Sequence, residues 1–203
     1  FGIHADLKVI PMDGYNHNML FEDTGIDWIL PSFHILYPIS AYYCAATGCI
    51  GELHTISVGI GYTIPFGLVG TDWIDGNRLA VELNRRNLSG VVFRPMTFMP
   101  FYHEFKDVPC SGVQIHITDK KKFMPFEINL HILHALNKLY PDHDFLGKDA
   151  EESRIKMFNK VMGTDQFREM ILDNKPIEEI IESYQEDLNL FKMKRKEYLL
   201  YPN

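Results

Sequence analysis

The sequence predicts an α+β fold, a mixed sheet of short strands covered by helices, with a long helix at the C-terminal end. Three observations predict it. Glycine, proline and aromatic residues crowd the first two-thirds of the 203 residues, where short apolar runs alternate with turn signals. From about Glu151 the composition turns charged and glycine-poor, with apolar residues at helical spacing. Finally, 46% of the chain is apolar, enough to bury a substantial core at this length. The chain therefore reads as one domain over residues 1–203, with 151–203 as its helical part.

The run "LKVIPM" (7–12) is expected as a buried strand stopped by the turn "DGYN". "YPISAYYCAATG" is either a short helix starting after Pro38 or an extended run, and Gly48 is expected to end it in both cases. "HTISVGI" (54–60) alternates like a strand whose glycines mark a bulge or a close backbone approach. A helix capped by Asp75 follows through "GNRLAVELNRRN", with Leu79 and Leu83 one turn apart. "GVVFRPMTF" and "CSGVQIHITD" read as strands joined by "MPFYHEFKDVP". In the second, Val113, Ile115 and Ile117 take one face, and Gln114, His116 and Thr118 the other. Another helix opens after Pro125, with Ile128, Ile132, Ala135, Leu136 and Leu139 as its stripe, and "YPDHDF" ends it. Helices at about 151–162 and 165–172 precede a last one running on from "NKPIEE", striped by Ile177, Ile180, Ile181, Tyr184, Leu188, Phe191 and Tyr198.

A net charge of −7 without a basic patch argues against nucleic acid or an anionic membrane as partner, and no window approaches the ~20 apolar residues of a membrane span. Cys44, Cys49 and Cys110 lack a CxxC spacing. They are three buried thiols or, in an exported protein, one disulfide and one free thiol. His131 and His134 lack the HExxH arrangement and are expected as half-buried or surface histidines, so no metal site is read. No cofactor is expected either: "GIGY" (59–62) has Ile64 where a dinucleotide fingerprint needs its third glycine, and Pro65 opposes the helix that would have to follow. A GxSxG nucleophile motif is absent.

Carbohydrate chemistry asks for carboxylates placed as acid and base, aromatic platforms, and side chains that hydrogen-bond hydroxyls. Glu52, His54, Tyr62, Tyr102, His103, Gln114 and His116 are of these kinds and lie in the loop-rich half. Taken singly, each also fits a plainer role, Glu52 capping a turn and Tyr62 and Tyr102 burying their rings.

The order of "DTGIDWILPS", "CIGE", "PFGLVGTDWIDGNRLAVELN", "GVVFRPMTFMPFY", "CSGVQIHITD" and "FKMKRKEYLLYP" is similar to the C-terminal half of the NamZ-like family of exo-acting β-N-acetylmuramidases, from about Leu7 to Pro202. The resemblance implies the cleft-completing domain of a larger, periplasmic or exported glycoside hydrolase acting on peptidoglycan fragments or another glycan. It implies a Rossmann-like N-terminal domain that carries the catalytic glutamate, so that these residues alone would be inactive. The chain begins with Phe1 rather than Met, in keeping with processing or excision from a longer protein. Family members read approximately "CLxEGTNxSEGRGTTRPFE" where this chain has "CIGELHTISVGIGYTIPFG". Glu52 falls on the first glutamate, whereas Val58, Ile60, Ile64 and Gly67 replace a glutamate, two arginines and a glutamate. His34 stands where asparagine is usual. Arginine is the natural partner of a carboxylate such as the lactyl group of muramic acid, so the losses point to a divergent branch. The candidate catalytic residues are Glu52 and His54, and the candidate substrate-binding residues are His34, Tyr62, Tyr102, Gln114 and His116. The alternative is a glycan-binding or scaffold domain that has lost catalysis.

Overall fold

The computed structural model describes Gly2 and residues 4–201; Phe1 and Pro202, both invoked above, lie outside the described residues. In chain order the elements are α1 (Pro38–Gly51), β1 (Leu68–Thr71), α2 (Gly76–Asn84), β2 (Val91–Phe98), β3 (Cys110–Ile117), α3 (Pro125–Leu139), α4 (Glu152–Met162), α5 (Gln166–Leu172), α6 (Ile177–Glu182) and α7 (Gln185–Arg195). The fold is α+β, as the composition predicts. Its sheet is antiparallel throughout rather than mixed, with order β1-β3-β2. The cause is topological: β1 and β2, joined through α2, point the same way, and β3 inserts between them as an antiparallel neighbour to both.

The pleat sorts the side chains. Val69, Val91, Phe93, Val113 and Ile115 share the core face and are buried, while Leu68, Phe98 and Cys110 form a small second cluster on the opposite face. Helix α2 packs on β2 and β3, and α3 packs on α1 and α2; α3 starts with Pro125 in the first helical turn, where the missing N–H costs nothing. It is buried nearly all round, through Leu130, Ile132, Leu133 and Leu136. The Asp75 side chain caps α2 by accepting from the N–H groups of Asn77 and Arg78.

Four local expectations give way. Gly48 does not end α1, which runs on to Gly51; burying Ala46 and Ile50 outweighs the roughly 1 kcal/mol that a helical glycine costs. Residues 54–60 are a bent loop and not a strand, pairing with the sheet as the isolated Ser57–Gly70 bridge, because His54 and Gly59 adopt left-handed backbone conformations that interrupt a ladder. Residues 7–12 are irregular, with Leu7 and Ile10 more than three-quarters exposed. The terminal helix breaks between α6 and α7. The Tyr184 ring is held edge-on by Phe126 and Phe167, and the Ser183 hydroxyl donates back to the Ile180 carbonyl.

The chain divides into two compact units. Residues 30–184 contain the sheet, helices α1 to α6 and the core. The other unit comprises the residues up to Ile29 and those from Gln185 on. In it the Met12 N–H donates to the Tyr201 hydroxyl at 2.6 Å and the Tyr15 and Tyr201 rings meet edge-on, but no described residue is fully buried. No helix among the described residues is long and apolar enough to cross a membrane.

Candidate functional site

The site grows from the end of α1. Glu52 is the helix C-cap, Leu53 drops into the core, and His54 turns out with φ +59°, a conformation that is uncommon without a glycine. Facing it is the long connection between β2 and β3, in which His103 has φ +76°. The loop 59–66 lies directly on this connection: the Phe101 N–H donates to the Gly61 carbonyl at 2.8 Å. A Cβ on Gly61, whose φ is +86°, would stand 2.3 Å from the Tyr102 carbonyl oxygen. That close approach is the physical use of the glycines.

Three histidines and a carboxylate converge as a result. His54 Nδ1 lies 2.8 Å from Glu104 Oε1, and His103 Nδ1 pairs with the other carboxylate oxygen. The His34 Nε2 and the Tyr102 hydroxyl are 2.9 Å apart, with their rings stacked 13° from parallel. Burial pushes His54 below its ordinary pKa, followed by the charge of Arg154, while Glu52 and Glu151 pull upward. The bond to Glu104 favours the protonated ring and also opposes this shift. His103 is lowered by burial first, then by His54, His34 and Arg154; His34 is lowered by burial. The rings are thus set to be neutral near pH 7 while each stays close to a proton partner.

The sequence candidates divide accordingly. His54, His34 and Tyr102 meet in the cluster, and Tyr62 stands beside it, its ring stacked on Phe101. Glu52 acts on His54 through its charge and makes no hydrogen bond to a described side chain. Gln114 and His116 lie on the outer face of β3 beside Arg94 and Val92, joined to the cluster by no hydrogen bond or ring contact among the described residues. His116 Nε2 is buried there without a partner among the described residues. Glu104, which bridges the two imidazoles, is absent from the sequence candidates. Its signal is the acid within "FYHEF", flanked by aromatics in a connection between strands.

The space enclosed by His54, Ser57, His103 and Glu104 is only about 20 Å³, enough for a water molecule. A larger groove of about 400 Å³ adjoins it, sharing His54 and Phe105 and walled by Thr71, Asp72, Trp73 and His143. Its size falls within the roughly 300–1,000 Å³ usual for small-ligand sites. Trp73 and His143 stack there at 4.3 Å, 11° from parallel.

A second pair of histidines has a different setting. Arg86 donates to His131 Nδ1 at 3.1 Å and to the His131 carbonyl, and to Glu82 at 2.9 Å and His134 Nδ1 at 3.2 Å. A guanidinium has no acceptor, so both imidazoles accept and stay neutral. Burial, and then the Arg86 charge, depress His131 to about 4. No group of three or more His, Cys, Asp and Glu side chains among the described residues is arranged to hold a metal ion. Cys44 and Cys49 are half-buried free thiols; Cys110 is buried, its pKa raised to about 11 by burial and then by Asp72, which makes it a poor nucleophile.

Comparison with known proteins gives three findings. The family model described as "Exo-beta-N-acetylmuramidase NamZ, C-terminal" matches residues 42–201. Over 202 residues the chain is 36% identical to the peptidoglycan β-N-acetylmuramidase NamZ of Bacillus subtilis (strain 168), covering 99% of this chain and 47% of that protein. A crystal structure of a DUF1343 family protein from Bacteroides fragilis NCTC 9343 superposes with a TM-score of 0.86 at 36% identity, covering 93% of this chain and 49% of that one. The chain spans about half the length of these relatives.

Proposed function

The chain belongs to the NamZ C-terminal family, and from that premise we propose that it forms one wall of the glycan cleft of a β-N-acetylmuramidase-like glycoside hydrolase acting on peptidoglycan fragments. The observation that carries the reading is Glu104 bridging His54 and His103 at the mouth of an aromatic groove large enough for a sugar ring. His34, Tyr62 and Tyr102 supply the hydrogen bonds and ring faces of the wall, and Gln114 and His116 its outer polar surface. His54 handles a proton at the reacting centre, tuned by the charges of Glu52 and Glu104.

Glycoside hydrolysis generally needs two carboxyl groups flanking the bond. Glu104 is engaged by two imidazoles, so a further carboxyl is required. In this proposal an N-terminal, Rossmann-like domain of the same protein supplies it, and the protein works in the periplasm or outside the cell. The full-length protein is expected to release terminal N-acetylmuramic acid from a peptidoglycan-derived disaccharide, and the 203-residue chain alone is expected to be inactive. Failure to release it at any pH would overturn the proposal.

One observation favours a second reading, a domain that binds glycan without cutting it. Val58 is buried, Ile60 and Ile64 pack against the core, and a side chain on Gly67 would strike Ile64. The positions that carry charge in the resembling family stretch have thus turned inward here. Calorimetry with muropeptides that finds binding without cleavage would select this reading.

A further inference from the structure

We infer that the unit made of the residues up to Ile29 and those from Gln185 on is a docking surface, and that its occupant is the half of the same polypeptide that precedes these residues. The inference rests on one part of the reading above, that a further domain of the same protein comes first, and does not depend on which bond that domain cuts.

Two segments far apart in the chain build this unit. Among its described residues the regular elements are a 3₁₀ turn at Phe21–Thr24, helix α7 and a 3₁₀ turn at Lys196–Tyr198, and none of them buries a residue. The Met12–Tyr201 hydrogen bond and the edge-on rings of Tyr15, His17 and Tyr201 tie the segments together. Ordering a backbone costs entropy that apolar burial normally offsets. Here no described residue supplies that burial, since the core residues all lie in the other unit. The apolar side chains are present but uncovered: Leu7, Ile10 and Ile29 of the first segment and Leu190, Phe191 and Met193 of the second stand exposed. Single exposed apolar residues are ordinary on a protein surface, whereas their concentration on two segments tied together marks a contact surface.

The occupant follows from the length of the relatives. The matching family model describes a C-terminal part, and this chain spans about half of the Bacillus subtilis and Bacteroides fragilis proteins. A domain that continues directly into the first segment is tethered beside this unit at an effective concentration in the millimolar range, which a second copy or a soluble partner does not reach. The surface also has the make-up of a protein contact, with the apolar residues of α7 rimmed by Lys192, Lys194 and Arg195. An anionic lipid surface fits less well, because α7 opens with Glu186 and Asp187 and the chain carries a net charge of −7.

Methionine oxidation in the full-length protein measures the cover, because a thioether reacts according to its access to the oxidant. Met193 is 59% exposed and Met124, in the other unit, 53%, so the second serves as the reference for the first. At a concentration where light scattering finds a monomer, Met193 is expected to react with dilute hydrogen peroxide roughly tenfold more slowly than Met124. Phe191→Asp, which places a charge on the exposed side of α7, should raise the Met193 rate toward that of Met124. Lysine cross-linking then identifies the cover, with links expected from Lys192, Lys194 or Lys196 to lysines of the preceding half. Equal rates for the two methionines in the natural protein would overturn the inference. So would protection of Met193 that vanishes on dilution, which assigns a second copy, or that needs phosphatidylglycerol vesicles, which assigns a membrane. Cross-links from these three lysines confined to residues 30–184 would overturn it as well. Sugar release is not part of the readout, so a failure of the hydrolase reading leaves the docking surface standing, and the reverse holds too.

Discussion

Two groups of histidines in the unit formed by residues 30–184 are wired in opposite senses. At the cleft, one carboxylate takes the Nδ1 of His54 and the Nδ1 of His103, so both rings face it as donors. In the interior, one guanidinium gives N–H groups to the Nδ1 of His131 and of His134, so both rings face it as acceptors. A carboxylate tolerates protonation of its neighbours, whereas an arginine opposes it. Burial follows the same division: the Arg86 and Glu82 side chains are 12% and 13% exposed, those of His103 and Glu104 40% and 33%. The interior pair is fixed in one protonation state and serves packing. The cleft pair keeps a choice of states and can serve chemistry.

The largest expected effect comes from removing the interior hub. Arg86→Leu strips four hydrogen bonds and leaves Glu82 half-enclosed, with Lys138 at 3.5 Å and the exposed Arg85 at 4.0 Å as its remaining partners. Breaking a buried charge network from one side costs about 3–5 kcal/mol, which for a chain of this size lowers the melting temperature by roughly 10 °C. Thermal unfolding followed by circular dichroism measures it, and a shift under about 2 °C would show that the interior cluster carries no packing.

A slightly smaller effect comes from acid. His131 is held at about 4 when folded, below its ordinary 6.5. Its neutral form therefore contributes stability that is fully present above pH 6.5 and is lost as the pH falls toward 4. The loss amounts to about 3 kcal/mol at most. Urea midpoints at pH 7 and pH 4 should fall less in His131→Asn than in the natural protein, since the variant has no imidazole to protonate at that position. Equal losses in both would place the acid sensitivity elsewhere and remove half of the contrast between the clusters.

Glu104→Gln addresses the other half. Its carboxylate is partly solvated, so the ion pairs are worth no more than about 1 kcal/mol to folding. On the proposed hydrolase reading, turnover by the full-length protein should fall roughly tenfold or more as His54 loses its proton partner. The acid limb of the pH profile should move lower, because an imidazole without the carboxylate is harder to protonate. A large loss of stability with an unchanged rate would reverse the comparison and make the cleft cluster a structural one.

What could be read in the sequence follows the range of the forces involved. The Asp75 cap, the Pro125 start and the alternation of Val113, Ile115 and Ile117 are local signals, and each element stands where they put it. The continuous stripe from Ile177 to Tyr198 misled, because rings some 20 to 60 residues upstream hold Tyr184 and the helix breaks there. Loop convergence is the extreme case. His54 and Glu104 are held face to face by the pairing of two irregular loops, for which sequence periodicity has no signal. Tyr102, His54 and His34 were legible as residue types, and their common location was not.

The smallest effect belongs to Tyr102→Phe, and it sharpens the contrast from the cleft side. The substitution keeps the ring that stacks on His34 and removes only the hydroxyl, 2.9 Å from His34 Nε2. Tyr102 is 45% exposed, so that bond adds little to folding and the melting temperature should hold. A net hydrogen bond is worth about 1 kcal/mol, so glycan affinity should fall roughly fivefold, through a His34 ring no longer held in one orientation. Calorimetry on the full-length protein separates three cases. An unchanged affinity would mean that the stacked ring suffices as a platform. A fivefold loss would fit a hydroxyl that acts by orienting His34, as its partner distance implies. A loss near a hundredfold would mean that the Tyr102 hydroxyl bonds the sugar directly, since deleting a group that pairs only with a half-exposed imidazole cannot cost so much.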